Sequence, residues 1–344
     1  VLYFPFVFQS RITVLVFGGI AFLGMLALRL VSAKKEQAGS FLYAVNRTSS
    51  LGELLFPLSV ALIFYFSNYN GVLYFVPILI LTLADSAAAL IGVRYGQKAL
   101  SDIKEDKKSL EGFVVFFIAA FLCAEIPLML FTDTKPINII LISIIIAALT
   151  AITEASSSHG LDNILIPMLS FAFLKVHLEM DTQRLVLQLV YIAVFIALSF
   201  LRSKHANMSK IALMQGLLVA YVIVMLAGLP WLFAAAMLFF GYAVFPSLSE
   251  KEKGDVINNH IVETNVAVAV GVLWVASATD TEQFLMYTFF TVFSMRLAIN
   301  TFIRLRLYYA KPRLDAAAYA CVKSYLMLNL PAVFINYAVY GGFP

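Results

Sequence analysis

Long apolar runs recur along this chain almost from end to end, separated by short polar loops. A run of about 17–25 apolar residues, coiled as a helix, matches the hydrocarbon thickness of a bilayer. About twelve such segments can be drawn, at 12–31, 51–67, 71–93, 113–131, 136–153, 161–178, 184–201, 209–228, 230–247, 262–278, 283–303 and 316–340. Inside lipid every backbone N–H and C=O must find a partner within the protein, and a helix does this segment by segment. The expected class is therefore all-α, a polytopic transmembrane helical bundle of about 12 spanning helices. The stretch Leu2–Phe8 is too short to span and is expected at the interface.

Charge agrees with that reading. Only 13% of the residues are charged, against about a quarter in soluble chains, and the mean hydropathy is +0.90. Most of the surface is then lipid-facing. The net charge of +4 is small and gives no reason to expect a nucleic acid. Cys123 and Cys321 both lie in apolar runs, so the cysteines build neither a disulfide framework nor a metal site. The histidines, His159, His177, His205 and His260, lack metal-ligand spacing.

Lys and Arg set the orientation. With the loop at 32–50 placed in the cytosol and sides alternating from there, most of the 24 Lys and Arg fall inside. Arg11, Lys135, Lys175 and Arg184 fall outside, while Arg296 and Lys323 lie within helices. The loops at 94–112, 154–160 and 248–260 then face the cytosol. A soft division at the LEMDTQR linker separates an expected domain at 1–180 from a second at 181–344. The polar residues that look functional concentrate in the first.

Foremost among them is Asp85, in ILTLADSAAALIGVRYG. A carboxylate inside a spanning helix costs about 2.5–3.5 kcal/mol at the centre on insertion scales, and by default marks a functional site. Ala89, Gly92 and Gly96 follow it on one helix face. Such a stripe admits close approach of a ligand, or equally of another helix in the manner of GxxxG packing. The next helix opens with KKSLEG: Lys107, Lys108, Ser109, Leu110, Glu111 and Gly112. Ser109 is a candidate N-cap, and a helix N-terminus beside lysines suits phosphate. Glu111 near phosphate makes sense with a divalent cation between them, since Mg²⁺ is usually held by one or two carboxylates plus substrate phosphates. A third segment, EASSSHGLDN, offers Glu154, Asp162 and Asn163, with His159 read as a solvated loop residue. Arg47, Thr48 and Glu53 stand at the entrance of the second helix. In the second half, Arg296, Asn300 and Arg304 share a helix face, and Asn258, Asn259, His260, Glu263 and Asn265 cluster at another helix entrance. They suit a second polar cavity, lipid headgroups or snorkelling at the interface.

The ordered trio ADSAAALIGVRYG, KKSLEG and LDNILIP resembles the phytol kinase and dolichol kinase family of CTP-dependent lipid-alcohol kinases. Its pattern D-x-x-A-x-x-x-G-x-x-x-G falls on Asp85, Ala88, Gly92 and Gly96. Its K-[ST]-x-[EA]-G falls on Lys108, Ser109, Glu111 and Gly112, and the later acidic segment on Glu154, Asp162 and Asn163. Ala84 stands where the family has a glycine. The resemblance covers residues 50–178. It implies transfer of a phosphoryl group from CTP, with Mg²⁺, to a long-chain isoprenoid alcohol at the cytosolic face. It implies catalytic roles for Asp85, Lys108, Glu111 and Glu154, and metal ligation by Asp85, Glu111 and Asp162. It places phosphate contacts at Gly92, Gly96, Lys107, Lys108, Ser109, Gly112 and Asn163. The implied partners are a lipid alcohol, a nucleoside triphosphate, membrane lipids and a second copy of the chain. Phosphatidate cytidylyltransferases share the first two motifs, but their H-G-G…D-R signature is only faintly echoed by Ser158–Asn163. A CDP-lipid-forming enzyme is thus the first alternative. A membrane transporter or non-catalytic subunit is the alternative from another class.

Overall fold

A computed structural model of the chain describes residues 2, 4–8, 10–32, 51–100, 108–157, 159–203, 210–244, 282–308 and 311–341. Every extended element among them is a helix. After a single helical turn at Phe4–Val7 come α1 (Arg11–Ser32), α2 (Gly52–Ser67), α3 (Gly71–Tyr95), α4 (Leu110–Phe131), α5 (Pro136–Ser156), α6 (Asp162–Leu178) and α7 (Thr182–Ser203). Then follow α8 (Lys210–Ala227), α9 (Leu229–Val244), α10 (Glu282–Tyr308) and α11 (Arg313–Tyr340).

Among the described residues, 6 helices are long and apolar enough to cross a membrane: α1, α3, α4, α5, α10 and α11. The helices at 52–67, 182–198 and 213–227 are apolar but shorter. The expected number of spans is therefore not reached by length among the described residues. The expected span at 262–278 and the loop at 248–260 lie outside them, as do Arg47, Thr48 and Lys107.

The chain divides into two compact units, Val1–Ala193 and Val194–Pro344. The division falls inside α7, beyond the linker where the sequence suggested it. In the first unit α5 is the central helix, with 67% of its most apolar window buried, whereas α1 has 11% buried. Helix α5 packs against α4 and α6; α2 packs against α1 and α6; α3 packs against α4. Ile145, Ile146 and Leu149 of α5 are fully buried, while Ile118, Leu122 and Ile126 of α4 point outward. Such outward apolar faces suit lipid rather than water.

Several buried hydroxyls are satisfied locally, whereas Ser143 Oγ in α5 has no hydrogen-bond partner among the described residues. Ser59, Ser67, Thr150 and Thr153 each donate to a backbone carbonyl one turn earlier, the arrangement by which such residues are tolerated in lipid. Thr182 Oγ1 donates to Asn138 Oδ1 at 2.7 Å, tying the start of α7 to the start of α5. A tight turn joins α2 to α3. Asn68 and Tyr69 adopt left-handed backbone there, and Asn70 caps α3 by accepting from the Leu73 N–H at 3.2 Å.

In the second unit α10 packs along the whole of α11, and α9 packs against α10. Trp231, Phe289, Phe290, Phe293 and Leu328 form its apolar core.

Candidate functional site

The site is built at one end of the first unit, where α4 and α6 begin and α5 ends. The backbone joins these ends: the Leu51 N–H, before α2, donates to the His159 carbonyl at 2.7 Å. His159 (φ 57) and Gly160 (φ 80) form a left-handed pair that turns the chain from α5 into α6. His159 is a turn residue here.

Helix α3 enters this end through a π turn at Ile80–Ala84, closed by the Asp85 N–H bonding back to the Ile80 carbonyl. Such single wide turns are frequent at functional sites, because they shift the register of the side chains that follow. Asp85 is the first residue after it. Pro77, which cannot donate a helical hydrogen bond, precedes it by one turn.

The ammonium group of Lys108 is the centre of the site. It lies 3.0 Å from Glu154 Oε1 and 3.6 Å from Asp162 Oδ2, and it also donates to the Glu154 backbone carbonyl. These side chains are only 12%, 13% and 19% exposed. Asp162 Oδ1 in turn accepts from the backbone N–H of Asn163 at 3.0 Å and from its side-chain Nδ2 at 3.2 Å. Asp85 makes no ion pair of its own among the described residues, yet lies within electrostatic range of Asp162, Glu154 and Lys108. The structure thus gathers Asp85, Lys108, Glu154, Asp162 and Asn163, contributed by α3, α4, α5 and α6.

Glu111 is engaged elsewhere. Its Oε2 accepts from the backbone N–H groups of Gln97 (3.1 Å) and Lys98 (3.4 Å). These two backbone partners escaped the sequence reading, because no side-chain signal marks them. Around them the loop is stitched shut. Ala99 and Ser109 form an isolated antiparallel bridge, Leu100 N–H donates to Lys108 O at 2.8 Å, and Leu110 N–H donates to Lys98 O at 2.9 Å.

Ser109 is the N-cap of α4, its Oγ accepting from the Gly112 N–H at 3.1 Å. With Leu110 N–H on Lys98 O and Phe113 N–H on Ser109 O, the Leu110, Gly112 and Phe113 donors at the start of α4 are already used. The glycines are occupied as well. A Cβ at Gly96 would lie 2.8 Å from the Ser109 side chain, one at Gly92 would lie 3.2 Å from Ser109 Oγ, and one at Gly112 would lie 3.1 Å from the Ala88 carbonyl. The stripe therefore lets α3 and α4 cross closely, the packing use of such a pattern. Gly92, Gly96 and Gly112 hold Ser109 and Lys108 in place by this crossing.

Among the described residues no group of His, Cys, Asp and Glu side chains is arranged as a dedicated metal site. Lys108 sits between Glu154 and Asp162, where a cation held by both would lie. Three carboxylates, Asp85, Glu154 and Asp162, lie within electrostatic range of this one lysine.

No family model, no curated protein and no solved structure matches this chain. What fold and site define is an all-helical, multi-pass membrane protein with a largely buried cluster of carboxylates around one lysine at one end of its first unit.

Proposed function

We propose that the protein is an integral-membrane phosphotransferase acting on a lipid alcohol, with CTP as the donor, and that its site faces the cytosol. The single observation that carries this reading is the meeting of Lys108 with Glu154 and Asp162, with Asp85 alongside. Phosphoryl transfer asks mainly for positioning and charge neutralisation, and this cluster offers a cation for phosphate oxygens beside carboxylates for a proton.

In this reading Lys108 exchanges part of its carboxylate contact for the phosphates of the nucleotide. The substrate hydroxyl oxygen attacks the γ-phosphorus, the bond from that phosphorus to the β–γ bridging oxygen breaks, and CDP leaves. The hydroxyl proton passes to a carboxylate. Asp85 is the better acceptor, because Glu154 is held by Lys108 at 3.0 Å. Asp85 and Asp162 are the carboxylates that would hold an Mg²⁺ bound with the nucleotide, which would neutralise phosphate charge. Glu111 shapes the loop through Gln97 and Lys98 and has no part in the transfer. The apolar tail of the alcohol stays among the lipid-facing helices, with its hydroxyl at the end where the cluster lies.

The test uses purified full-length protein with γ-labelled CTP or ATP and phytol, dolichol, farnesol or diacylglycerol. Label in a lipid phosphate supports the reading. In a parallel reaction with α-labelled CTP and phosphatidate, label in a CDP-lipid would make the protein a cytidylyltransferase. No turnover with any of them, under conditions where the protein is folded, would sink both and favour a transporter or subunit.

A further inference from the structure

Helix α4 carries an acid inside the membrane that the site does not use. Glu125 is the only charged residue between Phe113 and Phe131. It lies six residues before the end of α4, about 9 Å inside that end at roughly 1.5 Å per residue. This is the end away from Lys108. Since α4 is long and apolar enough to span, the carboxylate lies deeper than the lipid headgroups. An ionisable residue at such a depth ordinarily faces the interior of a bundle and has a partner there.

Glu125 has neither. Residues three, four and seven apart share a helix face, and Ile118, Leu122 and Met129 share one with Glu125. All three are exposed, as is Ile126 beside it. The opposite face, with Ala120, Ala124 and Leu128, is the buried one, and α4 packs against α3 and α5. Glu125 itself is half-buried, and no hydrogen bond or ion pair joins its side chain to any described residue. The cations at this end of the first unit lie elsewhere. Arg184 is beside Asp181, and Arg11 lies over the rings of Tyr65 and Tyr69. Lys135 precedes α5, beyond the end of α4, and Lys175 is exposed on α6, which packs on α2, α3 and α5.

We infer that this face of α4 is a docking surface for a transmembrane helix of another protein that carries one lysine or arginine within its apolar span. Charge complementarity selects that partner. The face is an apolar ridge interrupted by one anion, and its complement is an apolar ridge interrupted by one cation. The long stems of Lys and Arg let the cation reach the carboxylate from a neighbouring turn. A second copy of this chain, related by a two-fold axis along the membrane normal, would bring its own Glu125 to the same depth, and two carboxylates so placed oppose each other. The surface lies at the end of α4 away from the Lys108 cluster. The inference stands apart from the proposed phosphotransfer, and the failure of either leaves the other untouched.

The experiment uses the purified full chain in nanodiscs with a synthetic apolar helix of roughly 20 residues, long enough to span. The peptide carries one lysine about two turns inside one end, with a diazirine-bearing leucine beside it. Control peptides have glutamine or leucine in place of the lysine. Photocrosslinking is followed by peptide mapping. The result expected is crosslinks to the α4 segment, about tenfold more abundant with lysine than with either control. Glu125→Gln should bring the lysine peptide down to the level of the controls, and Glu125→Asp should keep part of the difference. The peptide series keeps the test valid if the glutamine variant fails to fold. Equal crosslinking by the three peptides, a lysine preference that survives Glu125→Gln, or crosslinks that map away from α4 would each overturn the inference. Disulfide-linked dimers formed by Ile126→Cys chains but not by wild type, in the presence of the lysine peptide, would give the face to a second copy and overturn it as well.

Discussion

Lys108 is held by two carboxylates and a carbonyl in a place nearly closed to water. Removing one partner of such a group is costly, because the others are left charged and buried. Lys108→Ala should destabilise the protein by about 3 kcal/mol, read from unfolding in detergent. Pairing Lys108→Met with Glu154→Gln should restore part of that loss, since fewer buried charges are left unanswered. Asp85 behaves differently, having no ion pair of its own among the described residues. Asp85→Asn should leave the thermal midpoint unchanged and lower phosphotransfer by about 100-fold or more, the usual contribution of a positioned proton acceptor. An unchanged rate would remove Asp85 from the chemistry.

At the scale of elements, the site depends on how α3 and α4 meet. Ser109 caps α4, touches Gly92 and Gly96, and places Lys108 immediately before the helix. Ser109→Ala should cost about 1 kcal/mol of stability through the lost cap. Gly96→Ala should be worse, because its new methyl would press on the Ser109 side chain and on the Gly92 carbonyl. We expect about 1–3 kcal/mol of strain, together with a loss of activity that follows the shift of Lys108. A Gly96→Ala protein as stable and active as wild type would show that the crossing has room to spare. The π turn ahead of Asp85 adds a second control, setting the side of α3 on which the carboxylate emerges.

For the whole molecule, the cluster lies at the end of the first unit shared by the starts of α2, α4 and α6. The other end carries Asp133 and Glu179, at the ends of α4 and α6. Single cysteines at Gln97 and Glu53 should react with a membrane-impermeant maleimide from one side of sealed vesicles, and cysteines at Asp133 and Glu179 from the other. The proposed cytosolic orientation requires Gln97 to react from the cytosolic face. Reaction of Gln97 and Asp133 from the same side would mean that α4 does not span.

The helical class and the membrane were legible in the sequence, because hydrophobicity integrated over a span is a local property. The pieces of the site were legible for a related reason: a carboxylate such as Asp85 in an apolar run, or a lysine beside a capping serine, stands out against its own neighbours. What joins to what was not legible. Whether Gly92 and Gly96 open onto a ligand or receive a neighbouring helix depends on Ser109 and Gly112 arriving there, and only packing decides that. Glu111 and Asp162 looked alike as acids at helix starts. The fold turned one to the loop amides of Gln97 and Lys98 and the other to Lys108. Of the expected spans, 6 among the described residues are long and apolar enough to cross a membrane, while the run at 262–278 lies outside those residues. Composition determined the solvent this chain folds in; contacts between residues distant in sequence determined which of its charges meet.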